Sequence, residues 1–192
     1  AGNVTFVGDY VGVSLLVEAG GSITTQGIEI TGPEPGPAMT PDEQILVDNW
    51  ALILRAGIAP GSPTSFPAFE GGTTINETLP SDGLGNVTVD GPITIIPGFG
   101  ESSLLEITAV GDVLINALID ARGVDSTFTS NTGNINTDIV ITHANSDGGD
   151  QIFSAPMGTI TTLDLDASSL SSGTGGDVVI DTPDTVNVTS IT

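Results

Sequence analysis

Short segments in which apolar and polar residues alternate recur along this chain and constrain its fold more than any other feature. Examples are IEIT at 28–31, VTVD at 87–90, LDLD at 163–166 and VNVT at 186–189. Successive side chains of a β-strand point to opposite faces, so a period of two predicts strands with apolar residues inward and Thr, Asn and Asp outward. A helix needs apolar residues three and four positions apart, and these segments lack that spacing. The pattern therefore predicts an all-β chain.

The alternating strands belong to a loosely repeated unit of strand, turn and strand. Aligning the turn residues Gly111, Gly133, Gly158 and Asp184 gives spacings of 22, 25 and 26 residues. A unit of this size accommodates three short strands and their turns. We predict a right-handed parallel β-helix (a β-solenoid) with about seven rungs, where a rung is one turn of the chain around the axis, and a single domain over residues 1–192.

Residues 32–82 depart from the repeat and contain eight of the twelve prolines. We interpret this stretch as a loop-rich insertion on one side of the solenoid, built around one rung strand within residues 45–57. An amphipathic helix over residues 41–55 is the competing interpretation, because Pro41 in a first turn followed by Asp42 and Glu43 is typical of a helix start.

The charge balance limits the partners of the chain. Twenty-four acidic residues face two arginines and no lysine, giving a formal net charge of −22. Nucleic-acid binding needs clustered cations, so the sequence argues against that partner. No apolar run of 18 residues is present, so no membrane span is predicted. The absence of cysteine excludes disulfides, Cys-ligated zinc and thiol catalysis.

Residues suited to catalysis are scarce, and we predict that the chain is not an enzyme. His143 is the only histidine, and no serine lies in a GxSxG motif. Polysaccharide lyases use the β-helix fold but depend on cations, whereas here Arg122 is expected to pair with Asp120 or Asp125. Hydrolysis by two carboxylates stays open, because carboxylates are plentiful.

Calcium is the one cofactor that the sequence suggests. Asp147 and Asp150 lie in NSDGGD, Asp82 lies in SDGLGN, and Asp177 follows GTGG. Asp and turn carbonyls are oxygen ligands of the type that calcium takes. The favoured alternative is that these residues only form turns.

Trp50 is the candidate for contact with a ligand, as an aromatic platform for surface glycans. Its alternative role is to cap the solenoid core beneath the insertion.

Several strings give the chain a family resemblance, namely SLLVEAGGSITTQGIEITG, WALILRAG, GDVLINALIDARG, GNINTDIVIT and GGDVVIDTPDTVNVTSI. They resemble the filamentous haemagglutinin-like surface proteins of bacteria, especially the long cyanobacterial members. The resemblance implies an exported β-helix at the cell surface or outside the cell, acting as a stalk or adhesive fibre. The Asn-Pro-Asn-Gly type motif of the family's secretion module is absent from the sequence, which suggests an interior segment.

The terminal strands predict assembly. Open strand edges are templates for pairing, so we expect either end-to-end self-association or continuation into a longer chain. The predicted function is a structural or adhesive segment of an exported bacterial surface fibre. The alternative is a carbohydrate-binding or carbohydrate-cleaving β-helix protein.

Overall fold

The described residues form a parallel β-solenoid, as the alternation predicts. One short helix accompanies the strands there. The computed structural model describes residues 2–38, 40–57, 74–78, 85–98 and 100–192, with side chains everywhere except 74–78. In chain order its elements are β1 (Asn3–Val7), β2 (Tyr10–Gly12), β3 (Leu15–Ala19), β4 (Ile23–Thr25), β5 (Ile28–Ile30), α1 (Pro41–Asp48), β6 (Trp50–Ala56), β7 (Thr74–Thr78), β8 (Val87–Val89), β9 (Ile93–Ile95), β10 (Ser103–Ala109), β11 (Val113–Ile115), β12 (Ile119–Ala121), β13 (Asp125–Ser130), β14 (Ile135–Ile141), β15 (Gln151–Ser154), β16 (Ile160–Asp166), β17 (Val178–Asp181) and β18 (Val186–Ile191).

The strands form three faces. Face 1 stacks β1, β4, β8, β11 and the first halves of β14, β16 and β18, and face 2 stacks β2, β5, β9, β12 and the second halves of the same three strands. These two faces belong to one 12-stranded sheet, because the three long strands bend from one face to the next. Face 3 is a six-stranded sheet of β3, β6, β10, β13, β15 and β17.

The strands of the described residues form seven rungs, which confirms the predicted number. Each of the seven strands on face 1 begins one rung, and neighbouring strands along the axis are parallel. Val113 pairs with Ile135, Ile135 with Ile160, and Ile160 with Val186. These partners are 22, 25 and 26 positions apart, which are the spacings of the aligned turn residues.

The core is a column of aliphatic side chains inside the three faces. On β8 the residues Val87 and Val89 are buried while Thr88 points outward, so the alternation is confirmed there. The alternation fails at Leu163, which is 50% exposed. Leu163 lies where β16 bends from face 1 to face 2, and the bend places both Thr162 and Leu165 inward instead.

Each interpretation of the insertion holds for one part of it. The rung strand predicted within residues 45–57 is present as Trp50–Ala56, and the helix predicted to start at Pro41 is present but ends at Asp48 instead of 55. Residues 58–73 and 79–82 of the predicted insertion lie outside the described residues. The helix starts where the Thr40 hydroxyl accepts from the Glu43 amide and the Glu43 carboxylate accepts from the Thr40 amide, a capping box. It ends at Asn49, whose backbone is extended, because the next residues pair with β3 and β10.

Helix α1 lies on the outer surface of face 3. Its residue Leu46 is buried with Leu16, Ala51 and Ile53 in a second apolar cluster outside the solenoid core. Leu46 and the partly buried Ile45 of the helix therefore cover apolar outer side chains of β3 and β6. This packing removes those side chains from water in the first rungs.

The two ends of the solenoid differ, and the prediction that both end in open strands is wrong for β1. Strand β7 pairs antiparallel with β1 through five residue pairs. Phe6 and Tyr10 of the first rung are buried and meet edge to face, with ring centroids 6.5 Å apart. At the other end β17 and β18 have parallel neighbours on one side only among the described residues, and Val186 and Ile191 are exposed.

Candidate functional site

A cleft forms at the corner between faces 2 and 3, which we call the loop corner. The connections at this corner change length from rung to rung: residues 122–124 make a short one between the longer 96–102 and 142–150. A short connection between two longer ones leaves a gap in the wall of the stack. The resulting cleft has a volume of about 420 Å³, which is within the range of small-molecule sites.

The cleft is lined by both polar and apolar side chains from four consecutive rungs. Its described lining residues are Ile96, Pro97, Gly98, Gly100, Glu101, Arg122, Gly123, His143, Ala144, Asn145, Ser146, Asp147 and Leu170.

Arg122 lies on the short connection and is held by an acidic neighbour. Its Nε and Nη2 atoms donate to the two carboxylate oxygens of Asp120, at 2.9 and 3.0 Å. These hydrogen bonds, together with the attraction of the carboxylate, raise the pKa of Arg122 above its usual value. Of the two predicted partners, Asp120 is therefore confirmed. The guanidinium stays half exposed, so it presents a fixed donor to the cleft.

His143 is oriented by Asp166 from the next rung. Its Nδ1 atom lies 2.7 Å from the Asp166 carboxylate, which also accepts from the amide and hydroxyl of Ser168. Burial raises the pKa of Asp166, but the hydrogen bonds from His143 and Ser168 outweigh burial and hold that pKa below its usual 3.8. An ionised carboxylate only accepts, so Nδ1 of His143 carries the proton. This fixes the ring and leaves Nε2 for a ligand.

Glu101 is held by Trp50. The indole Nε1 of Trp50 donates to a carboxylate oxygen of Glu101 at 2.7 Å. Trp50 itself is half buried and packs against the solenoid core, while Glu101 lines the cleft. The expected core-capping role of Trp50 therefore agrees with its packing, and direct contact between Trp50 and a glycan stays a prediction.

These three side chains give the cleft a mixed hydrogen-bonding character. Arg122 donates, Glu101 accepts, and the imidazole of His143 contributes its second nitrogen. Each is already bonded to a partner from its own or a neighbouring rung, so little side-chain freedom is lost when a ligand binds. The arrangement is suited to recognising a molecule with several donors and acceptors.

Two of the four carboxylates predicted to bind calcium, those of Asp147 and Asp150, accept hydrogen bonds from the next rung. Asp150 accepts from the amide of Asp177 at 2.8 Å and donates its own amide to Asp125 at 3.0 Å. Asp147 accepts from the amide of Thr174, and this bond lowers the pKa of Asp147. Within the described ranges, no three residues of the His, Cys, Asp and Glu types are grouped so that they could hold a metal ion. Asp82 lies outside the described residues, and calcium binding stays a prediction.

The sequence analysis considered Arg122 and His143 separately and did not single out Glu101. The repeat carried a signal for the first two, because β12 pairs with β14 at a spacing of 21 residues and Arg122 and His143 are also 21 apart. Nothing in the sequence pointed to Glu101. Its bond to Trp50 spans 51 positions and depends on how the connection 96–102 folds.

The chain matches no protein-family model, no curated protein and no solved structure. Across the described part of the chain, no helix has both the length and the apolar character needed to cross a membrane.

Proposed function

We propose that this chain is a structural segment of an exported bacterial surface fibre, with adhesive contacts made from its corners. The observation that supports this role most is the continuous connection of its rungs by hydrogen-bonded side chains. At the corner between faces 3 and 1, which we call the tight corner, these bonds run along most of the solenoid axis.

The connection at the tight corner is a ladder of Asn, Asp and Ser side chains. Each member bonds to the backbone or side chain of the next rung: Asn3 to Ser22, Ser22 to Asn86, Asn86 to Asp112, Asp112 to Asn134, and Asn134 to Thr159. Each such bond adds to the main-chain bonds between neighbouring rungs. A stack held in this way resists bending and separation along its axis, which suits a spacer in a fibre.

The final rung supports continuation at one end. Val186 and Ile191 are exposed there, and β17 and β18 present edges to which a further parallel strand can be added. At the first rung β7 occupies the edge of β1, so addition there requires that β7 be displaced. We therefore expect another copy to add at the edges of β17 and β18 more readily than at β1.

Electron microscopy of the native material tests the fibre role. With an antibody against this segment, we expect label on thin filaments outside the cell, with each rung adding about 4.8 Å of length. Compact, isolated particles of this size, or label confined to the cell interior, would contradict the proposal.

A variant that lacks one whole rung sharpens the test. Deleting residues 113–134 joins Asp112 to Ile135 and removes one complete unit, because Val113 and Ile135 are register partners. The shortened chain should still melt cooperatively. The matched control deletes residues 113–123, which breaks the register of every later strand, and should not fold. Equal loss of folding in both variants would argue against a rung-by-rung spacer.

A carbohydrate-binding or carbohydrate-cleaving protein is the second candidate, and the cleft at the loop corner favours it. A glycan array detects binding, and a reducing-end assay detects cleavage. Turnover that disappears when Glu101 is replaced by Gln would support cleavage and would overturn the purely structural role.

A further inference from the structure

We infer that the cleft at the loop corner is a binding site for a neutral glycan, with Arg122, His143 and Glu101 as its hydrogen-bonding groups. This assignment deepens the second candidate function and rests on it, while it is independent of the fibre role.

The basic side chains are distributed unequally. Arg55 is enclosed by carboxylates, with Glu106 bonded to two of its nitrogens and Glu18 to a third. The other arginine and the only histidine of a chain with a net charge of −22 both line the cleft. The loop corner therefore holds the arginine that has a single carboxylate partner, Asp120, together with the histidine, whose Nδ1 atom faces Asp166.

The donors and acceptors that line the cleft match the hydroxyl groups of a sugar. Arg122 only donates, and the carboxylate oxygens of Glu101 accept, as the one bonded to Trp50 does. A hydroxyl both donates and accepts, so neighbouring hydroxyls of one sugar satisfy both side chains. An ammonium group donates only and would leave Arg122 without an acceptor, which argues against a cationic ligand.

The charge around the cleft argues against an acidic ligand. Glu101 and Asp147 line it, and Asp120 and Asp166 stand directly behind Arg122 and His143. The guanidinium charge is therefore already balanced. A carboxylate or sulfate group entering the cleft would meet these acids at short range as well as the strongly negative chain. The ligand that fits is neutral.

The walls of the cleft supply apolar contact on both sides. Ile96 on one connection is 46% exposed, and Leu170 on another is 60% exposed. Apolar walls with a few fixed polar groups are typical of small-molecule sites, and the C–H faces of a sugar ring can pack against such walls. An extended peptide binds by adding a strand to an open sheet edge, whereas the residues described around this cleft belong to connections.

The test measures binding of the full chain to a glycan array that carries neutral hexose and N-acetylhexosamine oligosaccharides beside uronate and sulfated ones. Neutral oligosaccharides that bind are then titrated by calorimetry. Replacing Arg122 by Gln removes a charged donor and should weaken binding about tenfold or more. Asp120→Asn should weaken it less, because this change leaves Arg122 in place.

Two exposed leucines provide a matched comparison. Leu170→Ser removes an apolar wall of the cleft and should weaken binding. Leu163→Ser changes another exposed leucine, at the corner between faces 1 and 2, and should not weaken it. Thermal melting of each variant separates loss of binding from loss of folding.

The possible outcomes separate the site from the function. Binding of neutral glycans that is lost in the Arg122 and Leu170 variants supports the inference. Binding that survives both changes keeps carbohydrate recognition but overturns this site, and preferential binding of acidic glycans overturns the neutral class. Binding of no glycan overturns both the site and the second candidate function and leaves the fibre role unaffected.

Discussion

The tight corner and the loop corner are built from the same chain and the same rungs, yet they differ in how they use side chains. At the tight corner side chains bond each rung to the next through short connections such as 110–112 and 131–134, and the long connection 57–86 at the same corner ends in the ladder residue Asn86. At the loop corner the connections range from two residues at 13–14 to the segment 31–49 that carries α1. The cleft and its three oriented side chains lie there.

The difference between the corners indicates where the connections of a solenoid can change in length or sequence. The part of a connection whose side chains bond to the next rung has a fixed conformation, because the bonded atoms must stay in register. Length is added outside that part, as in the connection 57–86, where only Asn86 at its end belongs to the ladder. A connection without that restriction can lengthen without disturbing the strands on either side. Glycines packed against the backbone of a neighbouring rung should be sensitive to substitution at both corners, such as Gly158 at the tight corner and Gly148 at the loop corner. The sites that alter binding should lie at the loop corner.

The largest expected effect is at a tight-corner glycine. In Gly158→Ala the added methyl would collide with the carbonyl oxygen of Gly133 in the rung below. Since backbone must move to make room, we expect a loss of about 3 kcal/mol in the free energy of unfolding. Gly32→Ala at the loop corner is the control, because nothing lies within 4 Å of its added methyl. Chemical denaturation measures both, and equal stabilities would contradict the comparison.

Tyr10 anchors the first rung at the loop corner by donating to the carbonyl of Val13 at 2.8 Å. Burial, with a smaller contribution from Glu34, raises the pKa of Tyr10 from 10 to about 12. The protonated phenol therefore favours the folded state, and this contribution is complete below pH 10 and is lost as the pH rises toward 12. We expect a loss of about 2 to 3 kcal/mol over that range.

The measurement for Tyr10 is direct, because it is the only tyrosine of the chain. Its ultraviolet absorbance reports ionisation, and denaturation at both ends of the pH range reports stability. Tyr10→Phe should lose this part of the alkaline sensitivity. A tyrosine that titrates at its ordinary pKa would refute the buried first rung.

Substitution of Arg55 tests how the connection 31–49, which carries α1 at the loop corner, is attached to face 3. Its guanidinium joins Glu18 and Glu106 on the outer surface of face 3 and lies 3.8 Å from Asp42 in α1. Arg55→Met leaves the carboxylates of Glu18 and Glu106, which are mostly shielded from water, without their partner. Because the Arg55 guanidinium is itself partly exposed, we expect a loss of about 2 kcal/mol in the free energy of unfolding. Arg122→Met, at an exposed pair, should cost under about 1 kcal/mol. Similar losses of stability in the two variants would show that burying an arginine among carboxylates does not increase its contribution to stability.

A smaller effect is expected from one bond of the ladder. Asn86→Ala removes the acceptor for the Asp112 amide at the tight corner and should cost about 1 kcal/mol. Asp147→Ala removes the corresponding bond to Thr174 at the exposed loop corner and should cost less. Thermal melting of the pair compares the corners directly, and the reverse order of stabilities would contradict the ladder as the source of rigidity.

The smallest effect is expected from calcium removal. The carboxylates of Asp147 and Asp150 already accept hydrogen bonds from neighbouring rungs, so we expect the same melting midpoint in chelator and in millimolar calcium. A midpoint that rises with calcium would show that the ion binds the folded state. It would also return these residues to the role that the sequence suggested.

The sequence determined the fold because its information is periodic and local. Alternation in VTVD and IEIT identifies which residues point inward, and turn residues such as Gly133 and Gly158 mark where rungs approach each other closely. The same regularity gave the number of rungs and their spacing. Even the start of α1 was readable, since Thr40, Pro41 and Glu43 form its cap within a few residues.

The tertiary structure alone decided where β16 bends, which end of the solenoid is covered and where a ligand can bind. Leu163 is exposed because of a bend that the alternation does not encode, and β7 reaches β1 from nearly 70 residues away. The cleft exists because one connection is shorter than its two neighbours in the stack. Its side chains come from separate rungs, so only the folding of the rungs onto one another brings Trp50 to Glu101 and Asp166 to His143.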